Sequence, residues 1–430
     1  MNAPADRADH PDAQFIALRE AAEAGSIEDA LRLALRLLDA QRMDEAMPWL
    51  QRAADAGHPG AMFEFGRIRL YGLVGVPAPQ AAAQWFERAE RGGHAGATEA
   101  LVQIALGGAI LPRDQRINDR LMQAAQAGHP QAMLAAAVHF GRKPHPEDQA
   151  LCMQLLERGA ARGDAIAAAL LAERLAHGEG CEAQPEVADD LRAQLAANGV
   201  QRLPAFTMPL PPEQIPTPPR LLTLEEALRP PPAQALHGQP HVASIDPLLS
   251  ADECRLLIAH ARPRLRDSQT ADPLTGAPLT LPVRTSSEAC LDPLHETSAL
   301  RLVQLRMAAA AGIDLPNAEQ LNVLRYLPGQ QYRPHRDYLP TSTLQMDRPH
   351  AGNRCRTVCV YLNPVEAGGD TEFPAIGLRI EPRPGRALIF DNLRADGSLE
   401  PDSLHAGTPV VAGEKWLSTL WIRQARYRFW

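Results

Sequence analysis

The sequence predicts a multidomain protein: an N-terminal all-α solenoid of helical repeats and a C-terminal α+β module built on a double-stranded β-helix, or jelly roll. Three observations carry this reading. A glycine-marked unit recurs four times at a period of 35–36 residues. A stretch dense in proline follows. Beyond it, two helical patterns give way to many short apolar runs separated by Gly/Pro turns. With 430 residues the chain is too long for a single core. The expected boundaries are 1–203 for the repeats, 204–241 for a linker and 242–430 for the last module.

The repeats are marked by Gly57-His58-Pro59, Gly93-His94-Ala95, Gly128-His129-Pro130 and Gly163-Asp164-Ala165, whose glycines lie 36, 35 and 35 residues apart. Eight residues before three of these glycines stand Trp49, Trp85 and Leu155; in the third unit the apolar position is shifted to Leu121. The pattern reads helix, glycine turn, helix. Glycine admits the left-handed conformation that ends the first helix, and alanines let paired helices approach. A single such unit leaves an apolar face open, so the units must stack. His58, His94 and His129 recur at one phase, where capping or packing at the turn is a simpler role than metal binding. These repeats resemble the Sel1-like repeat, a relative of the tetratricopeptide repeat, over roughly residues 40–180. The resemblance implies a protein-binding surface.

Prolines at 211–212, 218–219 and 230–232 remove backbone donors and fix φ, so 204–240 reads as a semi-rigid spacer with at most a short helix at 221–228. Net charge is −8 with both signs interspersed and no basic stripe, so nucleic acid is not an expected partner. No apolar run reaches the ~18 residues of a membrane helix, and the first residues show neither a basic nor an apolar leader region. The six cysteines form no CxxC pair and read as reduced thiols. A cytoplasmic location is the expectation. Only two lysines occur, Lys143 and Lys415; Lys143, in a Gly-Arg-Lys-Pro turn, reads as a solvated charge.

In the last module a helix is expected at 252–261 with Ser250 as N-cap, and another at 298–311. Strands are expected at 321–327, 357–362, 378–380, 387–390 and 417–422. The segment 341–352 reads as a loop beside the site mouth.

Within these strands lies the spacing His335-Arg336-Asp337, with His405 further on. One intervening residue puts the first two side chains on one face of an extended strand. Two imidazoles and one carboxylate on a common face, with other positions open, suit a non-haem iron(II) centre. Lys415 follows His405 by ten residues and can serve as the point charge for a cofactor carboxylate.

Around these residues the chain resembles the prolyl 4-hydroxylases. The matching stretches are Arg325-Tyr326, Gly329-Gln330, Tyr332-Arg333-Pro334-His335-Arg336-Asp337-Tyr338, Arg354-Cys355-Arg356-Thr357 and Tyr361-Leu362-Asn363. They continue with Gly368-Gly369-Asp370-Thr371-Glu372-Phe373-Pro374, Gly385-Arg386-Ala387-Leu388-Ile389-Phe390, His405-Ala406-Gly407-Thr408-Pro409-Val410 and Gly413-Glu414-Lys415-Trp416. They occur in the family's order over about 190 residues. The resemblance implies that His335, Asp337 and His405 bind Fe(II) and form the catalytic centre. It implies that Lys415, Tyr326 and Thr371 hold the distal carboxylate of 2-oxoglutarate, and that Tyr332, Arg354 and Trp421 lie near a peptide substrate. It further implies O2 as cosubstrate and ascorbate as reductant. Arg284-Thr285-Ser286 resembles, more weakly, a family segment at the substrate groove. The expected function is hydroxylation of a prolyl residue in a protein or peptide docked on the repeats. Kept beside it are the same chemistry on another residue or a small metabolite, and a non-catalytic interaction or sensor protein.

Overall fold

The computed structural model describes residues 11–268, 270, 271, 278, 279 and 284–430; most of the N-terminal segment read for a leader lies outside them. It gathers into two compact units, Met1–Ile104 and Ala105–Trp430.

Helices α1 (Pro11–Glu23), α2 (Ile27–Asp39), α3 (Met43–Asp55), α4 (Pro59–Tyr71), α5 (Pro79–Arg91), α6 (Ala95–Gly107), α7 (Arg116–Gln126), α8 (Pro130–Gly141), α9 (Pro146–Ala161), α10 (Ala165–His177) and α11 (Pro185–Ala197) carry the repeats. In the first unit α1 to α5 pack each on the next; in the second, α7 to α11 do so. The repeat glycines all take positive φ, +90° at Gly57, +81° at Gly93, +84° at Gly128 and +85° at Gly163. Around Gly57, Gly93 and Gly163 an added Cβ would meet nothing, so glycine is needed there for its backbone and not for space. Two of the recurring histidines, His58 and His94, cap the turns with their side chains, whereas His129 stands at the N-cap of α8 without a side-chain cap hydrogen bond. The Nδ1 of His58 accepts from the Gly60 and Ala61 amides, and that of His94 from the Ala97 amide. Asp164 takes the same place in the fourth unit, accepting from the Ile166 and Ala167 amides.

The proline-rich stretch is fastened to the second unit. Its Phe206, Leu222 and Leu224 are buried, and the Arg220 amide donates to Asp148 at 2.6 Å. The expectation for Lys143 is corrected here: its ammonium is fully buried, 3.6 Å from Asp148 Oδ2, and donates to the Leu221 carbonyl. A turn lysine became a core anchor because the proline segment covers it. The short helix α12 (Glu225–Leu228) follows.

The strands are β1 (Gln234–His237), β2 (Val242–Ile245), β3 (Arg266–Asp267), β4 (Thr270–Ala271), β5 (Pro278–Leu279), β6 (Ser287–Leu291), β7 (Leu321–Tyr326), β8 (Tyr332–His335), β9 (Arg354–Tyr361), β10 (Ala367–Gly368), β11 (Thr371–Phe373), β12 (Leu378–Ile380), β13 (Ala387–Asp391), β14 (His405–Gly407), β15 (Val410–Ala412) and β16 (Lys415–Arg423). A major sheet runs β1-β2-β13-β9-β16-β7-β6-β3 and a minor one β12-β11-β14-β8; every pairing is antiparallel. Side chains from both sheets share one core, including Tyr326, Tyr361 and Leu417 from the major sheet and Phe373 and Ile380 from the minor. This is the jelly roll, and the site lies between its sheets.

Two helices flank it, α13 (Ala251–Ala261) and α14 (Ser298–Ala310). Ser250 and Glu253 close a capping box on α13. The Glu253 carboxylate is buried and accepts from Arg142, the residue that caps the end of α8, and from Arg306 of α14. Beside it Asp252 accepts from Arg174 of α10 at 2.7 Å, and Arg255 donates to Glu179 at 2.7 and 2.9 Å. The segment read as a loop contains α15 (Thr341–Met346) and a 3₁₀ turn at Pro349–Ala351.

Candidate metal and cofactor site

The minor sheet delivers both histidines. Strands β8 and β14 pair so that His335 sits opposite His405, and Asp337 follows two residues after His335. One ligand atom from each of the three lies within 4.8 Å of the others. Among the described residues this is the only group of three or more His, Cys, Asp or Glu so placed. His335 Nε2 is 3.6 Å from Asp337 Oδ1 and His405 Nε2 is 3.8 Å from Asp337 Oδ2.

Both rings are oriented by main chain. His335 Nδ1 lies 2.9 Å from the Arg333 carbonyl and His405 Nδ1 2.9 Å from the Ser403 carbonyl. A carbonyl can only accept, so the Nδ1 atoms carry the protons and the Nε2 lone pairs face the cluster. Burial, with His335 alongside, pushes the His405 pKa down to about 4, which keeps a ligand lone pair free. Burial alone would raise Asp337, but His405 and His335 outweigh it and hold the carboxyl far below its ordinary range. Thr357 donates to Asp337 Oδ2 at 2.7 Å, and Asn392 donates to Thr357 at 2.9 Å. That relay aims the carboxylate. The sequence showed Thr357 only as part of a motif, and Asn392 not at all.

At the other end of the same cavity lies Lys415, opposite Tyr326 in the β16–β7 register. Its ammonium, 2% exposed, donates to the Gly369 carbonyl at 2.6 Å and lies 5.4 Å from the ring centres of both Tyr326 and Tyr361. Among the described residues no carboxylate pairs with it. Burial lowers its pKa to about 8. Thr371 lines this end and accepts a 2.6 Å hydrogen bond from the Tyr361 hydroxyl, leaving its own proton for another acceptor.

The remaining expected residues are Tyr332 and Trp421, which line this cavity, and Arg354, which packs on Trp421. Tyr332 stacks on His335 with ring centres 3.4 Å apart. Arg354 lies 3.8 Å from the Trp421 ring centre and is held by Glu319 at 2.7 and 2.8 Å. Trp421 and Tyr332 line the cavity, and the buried Nε1–H of Trp421 has no partner. Arg284 also lines it, 5.2 Å from the Tyr332 ring centre. Glu319 escaped the sequence reading because its strand-edge position carries no motif. His295 binds Asp292 locally, and neither it nor His350 joins the cluster.

Residues 321–423 match the family model of the 2OG-Fe(II) oxygenase superfamily. Probable prolyl 4-hydroxylase 3 of Arabidopsis thaliana is 34% identical over 214 residues, covering 45% of this chain and 73% of that protein. The chain belongs to the prolyl 4-hydroxylase family. Among solved structures it is similar to a viral collagen prolyl hydroxylase from Paramecium bursaria Chlorella virus-1 in its 2OG complex. There the identity is 28%, the TM-score 0.34, and the coverage 42% of this chain and 95% of that one. A Sel1 repeat protein from Oxalobacter formigenes is 22% identical, with a TM-score of 0.39, covering 43% of this chain and 76% of that one.

The family implies Fe(II) and 2-oxoglutarate. The residues present fit both. Two imidazole Nε2 atoms and a carboxylate supply the donor set of a non-haem iron centre. A buried ammonium without a carboxylate partner is costly unless an anion arrives, and Lys415 is such a group.

Proposed function

We propose that this protein hydroxylates a prolyl residue in a protein or peptide substrate, with His335, Asp337 and His405 as the iron ligands. The observation that carries the proposal is one cavity with the three-residue ligand cluster at one end and the unpaired Lys415 ammonium at the other. When bound, Fe(II) and 2-oxoglutarate supply the oxidising power, O2 being consumed as 2-oxoglutarate goes to succinate and CO2 and one oxygen atom enters a C–H bond. The chain's own residues bind and orient. Lys415, Thr371 and Tyr326 hold the distal carboxylate of 2-oxoglutarate. Thr357 and Asn392 fix the Asp337 rotamer. Tyr332, Arg354 and Trp421 border the opening on the substrate side, where aromatic faces suit a proline ring. The sheet walls exclude water.

The rest of the proposal concerns context. The helical repeats recruit a protein partner, as stacked helical surfaces commonly do. The repeats, proline-rich segment and catalytic module divide at 203/204 and 241/242. Ascorbate serves as reductant. The compartment is cytoplasmic and reducing, supported by six thiols, none of them in a disulfide; no helix among the described residues is long and apolar enough to cross a membrane.

The test is turnover of proline-containing proteins and peptides with Fe(II), 2-oxoglutarate and O2, read by mass spectrometry. A gain of one oxygen on proline, coupled to succinate and absent in His335→Ala, supports the reading. Oxygen on another residue or on a small metabolite would redirect it. An anaerobic titration without a charge-transfer band, in folded protein, would overturn it.

A further inference from the structure

A second cavity, of about 380 Å3, lies in the Ala105–Trp430 unit away from the iron-ligand cluster. That is within the range of small-molecule sites, ~300–1,000 Å3. One wall is apolar: Ile166 and Ala169 of α10, Val200 and Leu203 of the following segment, and Pro263 after α13. The other wall carries His260, Arg262 and Arg264.

These three basic side chains share a feature. His260 is 7% exposed, and its Nε2 has no hydrogen-bond partner. The buried Nε atoms of Arg262 and Arg264 have none either. On each arginine one terminal nitrogen, Nη1, is already engaged. Arg262 donates to the carbonyls of Gln201 and Arg202, and Arg264 donates to that of His260 at 2.7 Å. Burial, with Arg264 nearby, pushes the His260 pKa down to about 4, so the ring is neutral with one N–H. The nearest carboxylate, Glu414, stands 3.8 Å from Arg262, beyond hydrogen-bonding range, and Arg264 has no ion pair among the described residues. Unpartnered buried polar groups are rare and costly. An arginine Nε–H can only donate. The Nε atoms are covered, so the donors left for a ligand are the Nη2 groups of Arg262 and Arg264, which make no hydrogen bond among the described residues; hydrocarbon forms the other side.

We propose that this cavity binds a small carboxylic acid with a short apolar tail, its carboxylate on the Nη2 groups of Arg262 and Arg264 and its tail against Ile166, Val200 and Leu203. A phosphate monoester fits less well, because the nearby Glu414 suits one negative charge better than two.

The test uses the full chain with hexanoate as probe, read by calorimetry, with hexanol and hexyl phosphate as comparisons. Saturable hexanoate binding is expected, weakened about tenfold in Arg264→Gln by loss of a charge-assisted hydrogen bond. Ile166→Trp, which fills the apolar end from a half-buried position, should abolish it. Lys415→Met should leave it within about twofold, since the sites are distinct. Absence of binding, equal binding of hexanol, tighter binding of hexyl phosphate, or loss of hexanoate in Lys415→Met but not in Ile166→Trp would each overturn the proposal. None of these outcomes depends on turnover, so the cavity and the catalytic reading stand or fall separately.

Discussion

The Lys415 ammonium gives the sharpest test of the proposed site. Burial moves its pKa from the ordinary 10.5 to about 8, and Gly369 supplies a single 2.6 Å acceptor. If the charged form receives the distal carboxylate of 2-oxoglutarate, affinity tracks the protonated fraction. That fraction falls from about nine tenths at pH 7 to about one tenth at pH 9, so the dissociation constant should rise about tenfold. 2-Oxoglutarate is fully ionised across this window and adds no slope. Lys415→Met should weaken binding about 10–150-fold, the worth of one charge-assisted hydrogen bond, and flatten the profile. Folding stability without cofactor should move the other way. The unfolded chain holds more protons than the folded one between pH 8 and 10.5, so stability rises with pH there, by about 3 kcal/mol in all. The assay is anaerobic titration of Fe(II)-loaded protein with 2-oxoglutarate at pH 7, 8 and 9 (about one Kd decade spans the series), followed by the charge-transfer band. A flat wild-type profile, or the same slope in Lys415→Met, would refute the assignment.

Three further outcomes are expected. His405→Ala should abolish iron binding, measured by metal analysis after dialysis, while far-ultraviolet circular dichroism stays helical; retained stoichiometric iron would remove His405 from the ligand set. Thr357→Val should weaken Fe(II) binding about 10–100-fold, because Asp337 Oδ2 loses its 2.7 Å donor; unchanged affinity would show that the relay is idle. Glu253→Gln should cost roughly 3–5 kcal/mol in urea unfolding, since it removes the charge that pairs two buried guanidiniums; a change below about 1 kcal/mol would mean water already screens them.

The candidate iron ligands were legible because their chemistry is local. His335 and Asp337 sit two apart on an extended segment, and the motifs flanking His405 and Lys415 are short. Helix α13 was legible from its Ser250 cap and α14 from its helical pattern. Strands β11, β14 and β15, three residues each, were not legible as strands, although the equally short β12 was. The burial of Lys143, the role of Asn392 and the Glu319 clasp on Arg354 depend on partners 78, 35 and 35 residues away in sequence. No spacing rule reaches that far. The same holds for His260, Arg262 and Arg264, which look like a helix end until α10 is placed against them.

The charges at the start of α13 bear on how the role of the helices should be tested. Asp252 and Glu253 are buried, and each meets an arginine from the repeats, Arg174 of α10 and Arg142 at the C-cap of α8. Truncating the chain before the proline-rich segment would remove the arginines and at once return both carboxylates to water. It would therefore hide the electrostatic cost and expose apolar helix faces instead. Arg142→Met keeps the cover in place and leaves Glu253 buried with Arg306 as its remaining guanidinium. The substitution thus measures the pairing itself, and the truncation measures the loss of packing. If Arg142→Met lowers stability while 2-oxoglutarate binding by the folded fraction is unchanged, the contact is structural. If affinity also falls, α8 takes part in setting the shape of the sheet that carries Lys415.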